Sequence, residues 1–323
     1  MTTTPPVRWG FLGAGFIASR ALAPAVHAAD GAALVVAGSR DVHRAESLGP
    51  MRAVSSYDEV CTAEDVDVVY ISLPNDAHSH WVQTALAAGK HVLCEKPLGM
   101  DADEVAAMTD AATRAGCLLV EGAWDRWHPR TQRAQALLAE AAGPRVARAW
   151  FTFPSVPADN YRLDPAHGGG ALLDIGCYAV AAAHWALGAE DVTVVSAEQR
   201  MSSTGVDLTT TAVLAAGDSR AEVTASFERP ESQGVEVEAP GLRVEIPDPA
   251  FTSWRTPSVL RVVEDGVTRE EEFPACDAYQ LMVEAMSARS RGQDAWLLPL
   301  STSRAVATTL DEIVRRASDV SAS

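Results

Sequence analysis

Residues 7–29 run from a short apolar segment, VRWGFL, through Gly13-Ala14-Gly15-Phe16-Ile17-Ala18 and straight into an alanine-rich helical pattern. No other feature of the chain narrows its fold as far. A GxGxxA turn between a strand and a helix opens the first crossover of a doubly wound α/β sheet. Its glycines let the backbone approach a pyrophosphate, which then rests against the positive end of the helix. A second strand pattern follows in the expected place, so the context favours a dinucleotide site over a merely structural tight turn.

The texture of the first part agrees. The runs VRWGFLG, ALVVAGS, VDVVYISLP, HVLCE and CLLVEGA are almost continuously apolar, as strands buried on both faces of a parallel sheet must be. Between them FIASRALAPAVHAA, SHWVQTALAAG and ADEVAAMTDAATRAG read as crossover helices. After Trp124 come one helix, a strand-like RVARAWFTF, a glycine cluster and a further helix, DIGCYAVAAAHWALG. From Val192 to Phe273 the pattern alternates with period two, and two helices close the chain. The expected architecture is a Rossmann domain over residues 1–122, then an α+β domain over 123–323 with a large, mostly antiparallel open sheet. With 323 residues the chain exceeds what one core usually supports, about 250–300, and a cleft at the domain boundary is where chemistry is expected.

The second strand ends at Ser39-Arg40-Asp41. An NAD site normally places a carboxylate there for the ribose hydroxyls, whereas a small hydroxyl followed by arginine suits a 2′-phosphate. NADP is therefore preferred over NAD, with Arg44 able to add charge; the alternative is that Arg40 is merely solvated and Asp41 supplies the acid. Thr84 stands where a phosphate-binding P-loop ending at Gly89-Lys90 needs its first glycine. His78 and His80 lack further ligands at metal spacing, so no metal is expected.

The formal charge of −17 disfavours nucleic acid and anionic membranes as partners. Five cysteines without a CxxC pair suit a reducing compartment. The start of the chain shows no basic leader, and no apolar stretch is seen to near the ~18–20 residues of a membrane span. Together these predict an unanchored, cytoplasmic protein.

Of the 26 lysines and arginines, only Lys90 and Lys96 are lysines. Lys96, in Glu95-Lys96-Pro97 after the fifth strand, therefore invites a role that arginine cannot fill, since lysine can shift its pKa and pass a proton; the alternative is a lysine simply paired with Glu95. Downstream, Gly168-Gly169-Gly170 precedes Asp174 and Tyr178. On an α-helix these two stand at i and i+4, able to converge on one ligand. A phenol of ordinary pKa near 10 is a poor base, but a neighbouring cation such as Lys96 lowers that value. The alternative is a core tyrosine capped by Asp174. Ala182, four residues after Tyr178, excludes the Tyr-x-x-x-Lys pair of short-chain dehydrogenases.

GAGFIA, VYISLPNDAHSHW, GKHVLCEKPLG and GGGALLDIGCY, in this order, resemble the Gfo/Idh/MocA oxidoreductases over essentially the whole chain. The resemblance implies hydride exchange between a nicotinamide and a hydroxyl-bearing carbon. It implies that Lys96 contacts the reacting oxygen, that Tyr178 is the general acid/base, and that Asp174 fixes the sugar or the lysine. Leu73, Pro74, Asn75 and His78 match the loop lining the nicotinamide ribose, and Glu95 with Pro97 shapes the same pocket. EGAWDRWHP is similar to the stretch closing over the nicotinamide, which would bring Trp124 and Arg126 to the cofactor; their alternative role is boundary packing. Arg162 and Tyr279 are candidate substrate contacts. The family's open sheet implies a homodimer or homotetramer. Tyrosine in the last motif is similar to the sugar dehydrogenase, dihydrodiol dehydrogenase and deoxysugar ketoreductase branches.

Three functions follow. The leading one is an NADP-dependent dehydrogenase of a sugar or cyclic polyol. The second is reduction of a nucleotide-linked keto-deoxysugar, which needs charge for a second pyrophosphate that Arg162 alone obviously supplies. The third, a dinucleotide-binding protein without turnover, requires neither Lys96 nor Tyr178.

Overall fold

A computed structural model describes residues 5–157, 159–253 and 255–321. The chain divides into two compact units, residues 1–99, 103–127 and 277–303 against 100–102, 128–276 and 304–323.

The first unit is built on β1 (Val7–Leu12), β2 (Ala32–Gly38), β3 (Arg52–Val54), β4 (Val68–Ile71), β5 (His91–Cys94) and β6 (Leu119–Glu121), in the order β3-β2-β1-β4-β5-β6. All pairings are parallel. Strand order reverses between β1 and β4, the switch point at which open α/β sheets bind ligands. Leu12 pairs with both Gly38 and Ile71, and Ile71 with Cys94. Gly13, Ser39, Ser72 and Glu95 therefore follow directly on one carboxyl edge. The first helical segment begins with a π turn, Ala18–Leu22, whose Ala23 amide donates to Ala18 O, and continues as α1 (Ala23–Ala28). Pro24, next in line, has no amide to give.

The segment 277–303 corrects the expected single division at residue 122. The helix Ala278–Ser290 buries Met282, Val283 and Met286, and Trp9 Nε1 on β1 donates to Ser287 Oγ at 3.1 Å. Its apolar face is used by the first sheet, which no local pattern encodes.

The second unit carries β7 (Val146–Thr152), β8 (Thr193–Met201), β9 (Asp207–Ala216), β10 (Ser219–Ser226), β11 (Ser232–Ala239), β12 (Leu242–Ile246), β13 (Ser258–Glu264) and β14 (Val267–Phe273). Their order is β14-β13-β12-β11-β7-β10-β9-β8, antiparallel except for β7 with β10. The helix Cys177–Leu187 covers one face, where Ala179, Val180 and Ala183 join Ala147, Ala149, Val223 and Ala225 in the core. The opposite face is charged, with cross-strand pairs such as Arg261 Nε to Glu270 Oε1 at 2.8 Å.

The expectation that no stretch has the length and apolarity of a membrane span needs correction. Residues Pro165–Leu187 meet that test, but most of this stretch is buried within the second unit as its core helix. Its apolarity comes from small alanines that pack on the sheet.

Candidate functional site

In the first unit, Gly13 takes φ +96°, and a Cβ there would come within 2.7 Å of Ser72 O. Its amide donates to Gly38 O at 2.9 Å, which ties the turn to the end of β2. Gly15 faces open space, its nearest would-be neighbour being Ser72 O at 3.9 Å. A pyrophosphate has room to approach that backbone. Phe16 is 72% exposed, Ile17 half-buried and Ala18 buried.

At the end of β2, Ser39 is buried and Arg40 exposed. Asp41 caps the short helix Val42–Glu46, accepting from the His43 amide at 3.0 Å. Its carboxylate is turned to its own helix, which argues against the acid role left open for it. Arg44 Nη2 donates to Ala14 O at 2.8 Å, so a guanidinium sits on the glycine turn itself. An open glycine backbone, a buried serine hydroxyl and two arginines fit a dinucleotide bearing a 2′-phosphate.

His78 is fully buried, with Nδ1 2.9 Å from Pro97 O and Nε2 3.0 Å from Leu73 O. It ties the half-buried Leu73, exposed Pro74 and half-buried Asn75 to Pro97, and burial pushes its imidazole pKa down. Both ring nitrogens lie within hydrogen-bond distance of backbone carbonyls, which places His78 at the base of the loop expected to line the nicotinamide ribose.

Glu95 is buried, and Tyr70 Oη donates to its Oε1 at 2.8 Å. Burial pushes the Glu95 carboxyl up, while the Lys96 charge and the Tyr70 hydrogen bond pull it back. Glu121 Oε1 accepts from the Leu98 amide at 3.1 Å, and burial raises this carboxyl too. Lys96 thus stands half-buried in the field of two buried acids. The other lysine differs: Lys90 Nζ donates to Ala63 O and Val66 O at 2.7 and 2.9 Å, a loop clamp. Trp124 stacks on Tyr279 at 4.8 Å and 19°, both 4% exposed, and the Tyr279 phenol is pushed up by burial and then by Glu95. Arg126 is buried beside Asp125 and Glu121. Trp124 and Tyr279 thus form one stack, with Tyr279 in the field of Glu95 and Arg126 in that of Glu121. The sequence reading missed Tyr70 and Glu121; an acid ending a buried parallel strand was the signal for the second.

In the second unit Arg162 Nε donates to Asp174 Oδ2 at 2.6 Å. Burial works against the guanidinium charge, but Asp174 outweighs it and the Arg162 pKa rises. Asp174 lies within a π turn, Leu172–Gly176, rather than an α-helix, so the assumed i, i+4 register to Tyr178 is widened. Tyr178 is half-buried against Phe251 and Phe151, with centroids at 5.5 and 5.9 Å. Among the described residues no cluster of three metal-ligating side chains occurs.

The parallel sheet and its glycine turn define a nucleotide-binding Rossmann unit. Residues 7–123 match the model of an oxidoreductase family with an NAD-binding Rossmann fold, and 131–246 that of the GFO/IDH/MocA C-terminal domain. The chain belongs to the Gfo/Idh/MocA oxidoreductases. It is 37% identical over 319 residues to a D-xylose 1-dehydrogenase (NADP(+)) of Haloferax volcanii, covering 96% of this chain and 97% of that protein. A trans-1,2-dihydrobenzene-1,2-diol dehydrogenase of Bos taurus is 30% identical, covering 95% of this chain and 96% of that one. A 3-ketoreductase of Actinomadura kijaniata, solved with NADP and TDP-benzene, superposes with a TM-score of 0.88 at 28% identity, covering 96% and 98%.

Proposed function

We propose that the protein is an NADP-dependent dehydrogenase of a free sugar or cyclic diol. The observation that carries this reading is the Arg162–Asp174 ion pair. A nucleotide-linked sugar brings a second pyrophosphate, and the arginine that could meet it is already neutralised by a carboxylate. A neutral polyol instead suits a fixed pair with donor and acceptor capacity. The xylose dehydrogenase and the dihydrodiol dehydrogenase, relatives named for such substrates, support it. The relative named for NADP and the Ser39, Arg40 and Arg44 cluster support that cofactor.

NADP, when bound, supplies the acceptor for the hydride leaving the carbinol carbon. Lys96 donates a hydrogen bond to the reacting oxygen, and Tyr178 takes its proton as the carbonyl forms. Asp174, oriented by Arg162, accepts from a neighbouring hydroxyl. The protein works in the cytoplasm on small molecules, with neither nucleic acid nor membrane as partner, and assembles as a homodimer or homotetramer through the sheet of the second unit. The test is NADPH formation with NADP and a panel of aldoses and cyclic diols, after cofactor binding is confirmed. Turnover that disappears in Tyr178→Phe while cofactor binding persists supports the reading. Binding without turnover across the panel overturns it in favour of a nucleotide-linked keto sugar.

A further inference from the structure

Asp207, the first residue of β9, is 7% exposed and lies 33 residues beyond Asp174 in sequence, yet it is bonded to the turn that launches Asp174 and Tyr178. Its Oδ2 accepts from the Leu172 amide at 2.9 Å, at the start of the π turn that carries Asp174. The same oxygen accepts from Thr210 Oγ1 at 2.6 Å, which fixes the carboxylate on its own strand. The other oxygen occupies the space that a side chain on Gly170 would need; a Cβ there would overlap Asp207 Oδ1, and Gly170 takes φ +115° to present that bare face.

The turn is also held from its other side. The Gly170 amide donates to Arg162 O at 2.9 Å, and the Asp174 amide to Gly170 O at 3.1 Å. Thr204 Oγ1, in the hairpin between β8 and β9, donates to Leu163 O at 2.7 Å. One hairpin therefore grips both the loop bearing Arg162 and the helix start bearing Asp174. A carboxylate at the amide end of a helix is also favoured by the helix dipole.

We propose that Asp207 is a positioning residue for the proton-handling end of the site, setting Asp174 and Tyr178 through Leu172 and Gly170 without itself touching substrate. This rests on the reading of Tyr178 as the proton carrier, and it assigns the placement of that phenol to a residue on a different element. A glycine at position 170 and a carboxylate at 207 become one device, since the carboxylate fits only against a residue without a Cβ.

The test compares four variants. Asp207→Asn keeps an oxygen for Leu172 and Thr210 but loses the charge, and Asp207→Ala loses both. Gly170→Ala displaces the turn with the carboxylate intact, and Thr210→Val removes only the hydroxyl. The first readout is the ionisation of Tyr178, taken as the difference in phenolate absorbance between each protein and the same protein carrying Tyr178→Phe, which needs no substrate. The second is kcat and KM for a turned-over sugar, with the NADPH dissociation constant as reference.

The alanine variant and Gly170→Ala should shift the Tyr178 titration and lower kcat about tenfold or more with NADPH binding unmoved, while Asp207→Asn stays within about twofold of the parent. An alanine variant that melts earlier but keeps the Tyr178 titration and kcat overturns the proposal, leaving Asp207 a fold residue. Equal shifts in the asparagine and alanine variants overturn it in favour of a distant charge effect. Should Asp207→Ala not fold, Gly170→Ala and Thr210→Val decide by the same criteria. If no sugar is turned over, the functional reading fails separately and the Tyr178 titration still decides the role of Asp207.

Discussion

Arg162 and Asp174 meet across the glycine turn, Nε to Oδ2 at 2.6 Å, with their side chains 33% and 12% exposed. Two groups read from sequence as separate substrate contacts are thus one unit. Removing the guanidinium leaves a largely buried carboxylate without its main counter-charge, which costs more than removing both. Arg162→Met and Asp174→Asn should each lower stability by about 1–3 kcal/mol, with a double variant less affected than the two single losses summed. Urea midpoints check this. Strict additivity would show that the pair is not coupled.

The end of β2 makes a cofactor prediction. Ser39 is buried, Arg40 exposed, and Asp41 occupied as a helix cap. Ser39→Asp with Arg40→Ile places a carboxylate where the ribose hydroxyls of NAD would be met and removes the arginine proposed to bind the 2′-phosphate. The NADP dissociation constant should rise about tenfold or more, since a charge-assisted hydrogen bond contributes about 1.5–3 kcal/mol. Unchanged NADP affinity would remove Ser39 and Arg40 from the 2′-phosphate site.

Tyr70→Phe deletes the donor that reaches buried Glu95 at 2.8 Å. The loss is expected near 1–3 kcal/mol, the usual cost of a stripped buried acceptor. Its pH dependence has a sign. Glu95 already titrates above its ordinary value because burial disfavours its charge, and the Tyr70 bond opposes that. Without the bond the folded pKa rises further, so the folded state penalises the charged carboxylate more. The stability gap between variant and parent should therefore widen as pH rises above the parent's folded-state Glu95 pKa, which itself lies above the ordinary glutamate value. Paired denaturation curves at acid and neutral pH measure it.

Much of this molecule is legible in its residues, and the failures have physical causes. The long parallel strands show because burial on both faces makes them continuously apolar. β3 escapes because Arg52–Val54 opens on an arginine and lacks the apolar run that marks the equally short β6. β14 escapes because VTREEEF is marked by charge rather than hydrophobicity; its glutamates pair with arginines across the sheet, Glu270 with Arg261 among them. Asp174 and Tyr178 were found as a pair, but their geometry was read on an α-helix where the chain makes a π turn. Asp207 carried no local signal, since its partners lie at positions 170 and 172.

His128 supplies a pH prediction of the opposite sign. It caps the helix Pro129–Glu140, its Nδ1 accepting from the Arg130 amide at 3.1 Å, which requires that nitrogen to be unprotonated. Burial, and then the Arg130 charge, push its pKa from 6.5 down to about 4. The unfolded chain binds this proton more readily than the folded one, so stability rises with pH across that interval. The contribution is complete above pH 6.5 and is lost progressively as pH falls toward about 4. A shift of that size sets a ceiling of about 3 kcal/mol, reduced by whatever solvent reaches the ring. His128→Asn keeps a capping oxygen that does not titrate there. The variant should match the parent within about 1 kcal/mol at neutral pH and be the more stable of the two at mildly acid pH, as read from urea midpoints at both. Parallel pH profiles for the two proteins would show that His128 is not the group whose protonation loosens this helix.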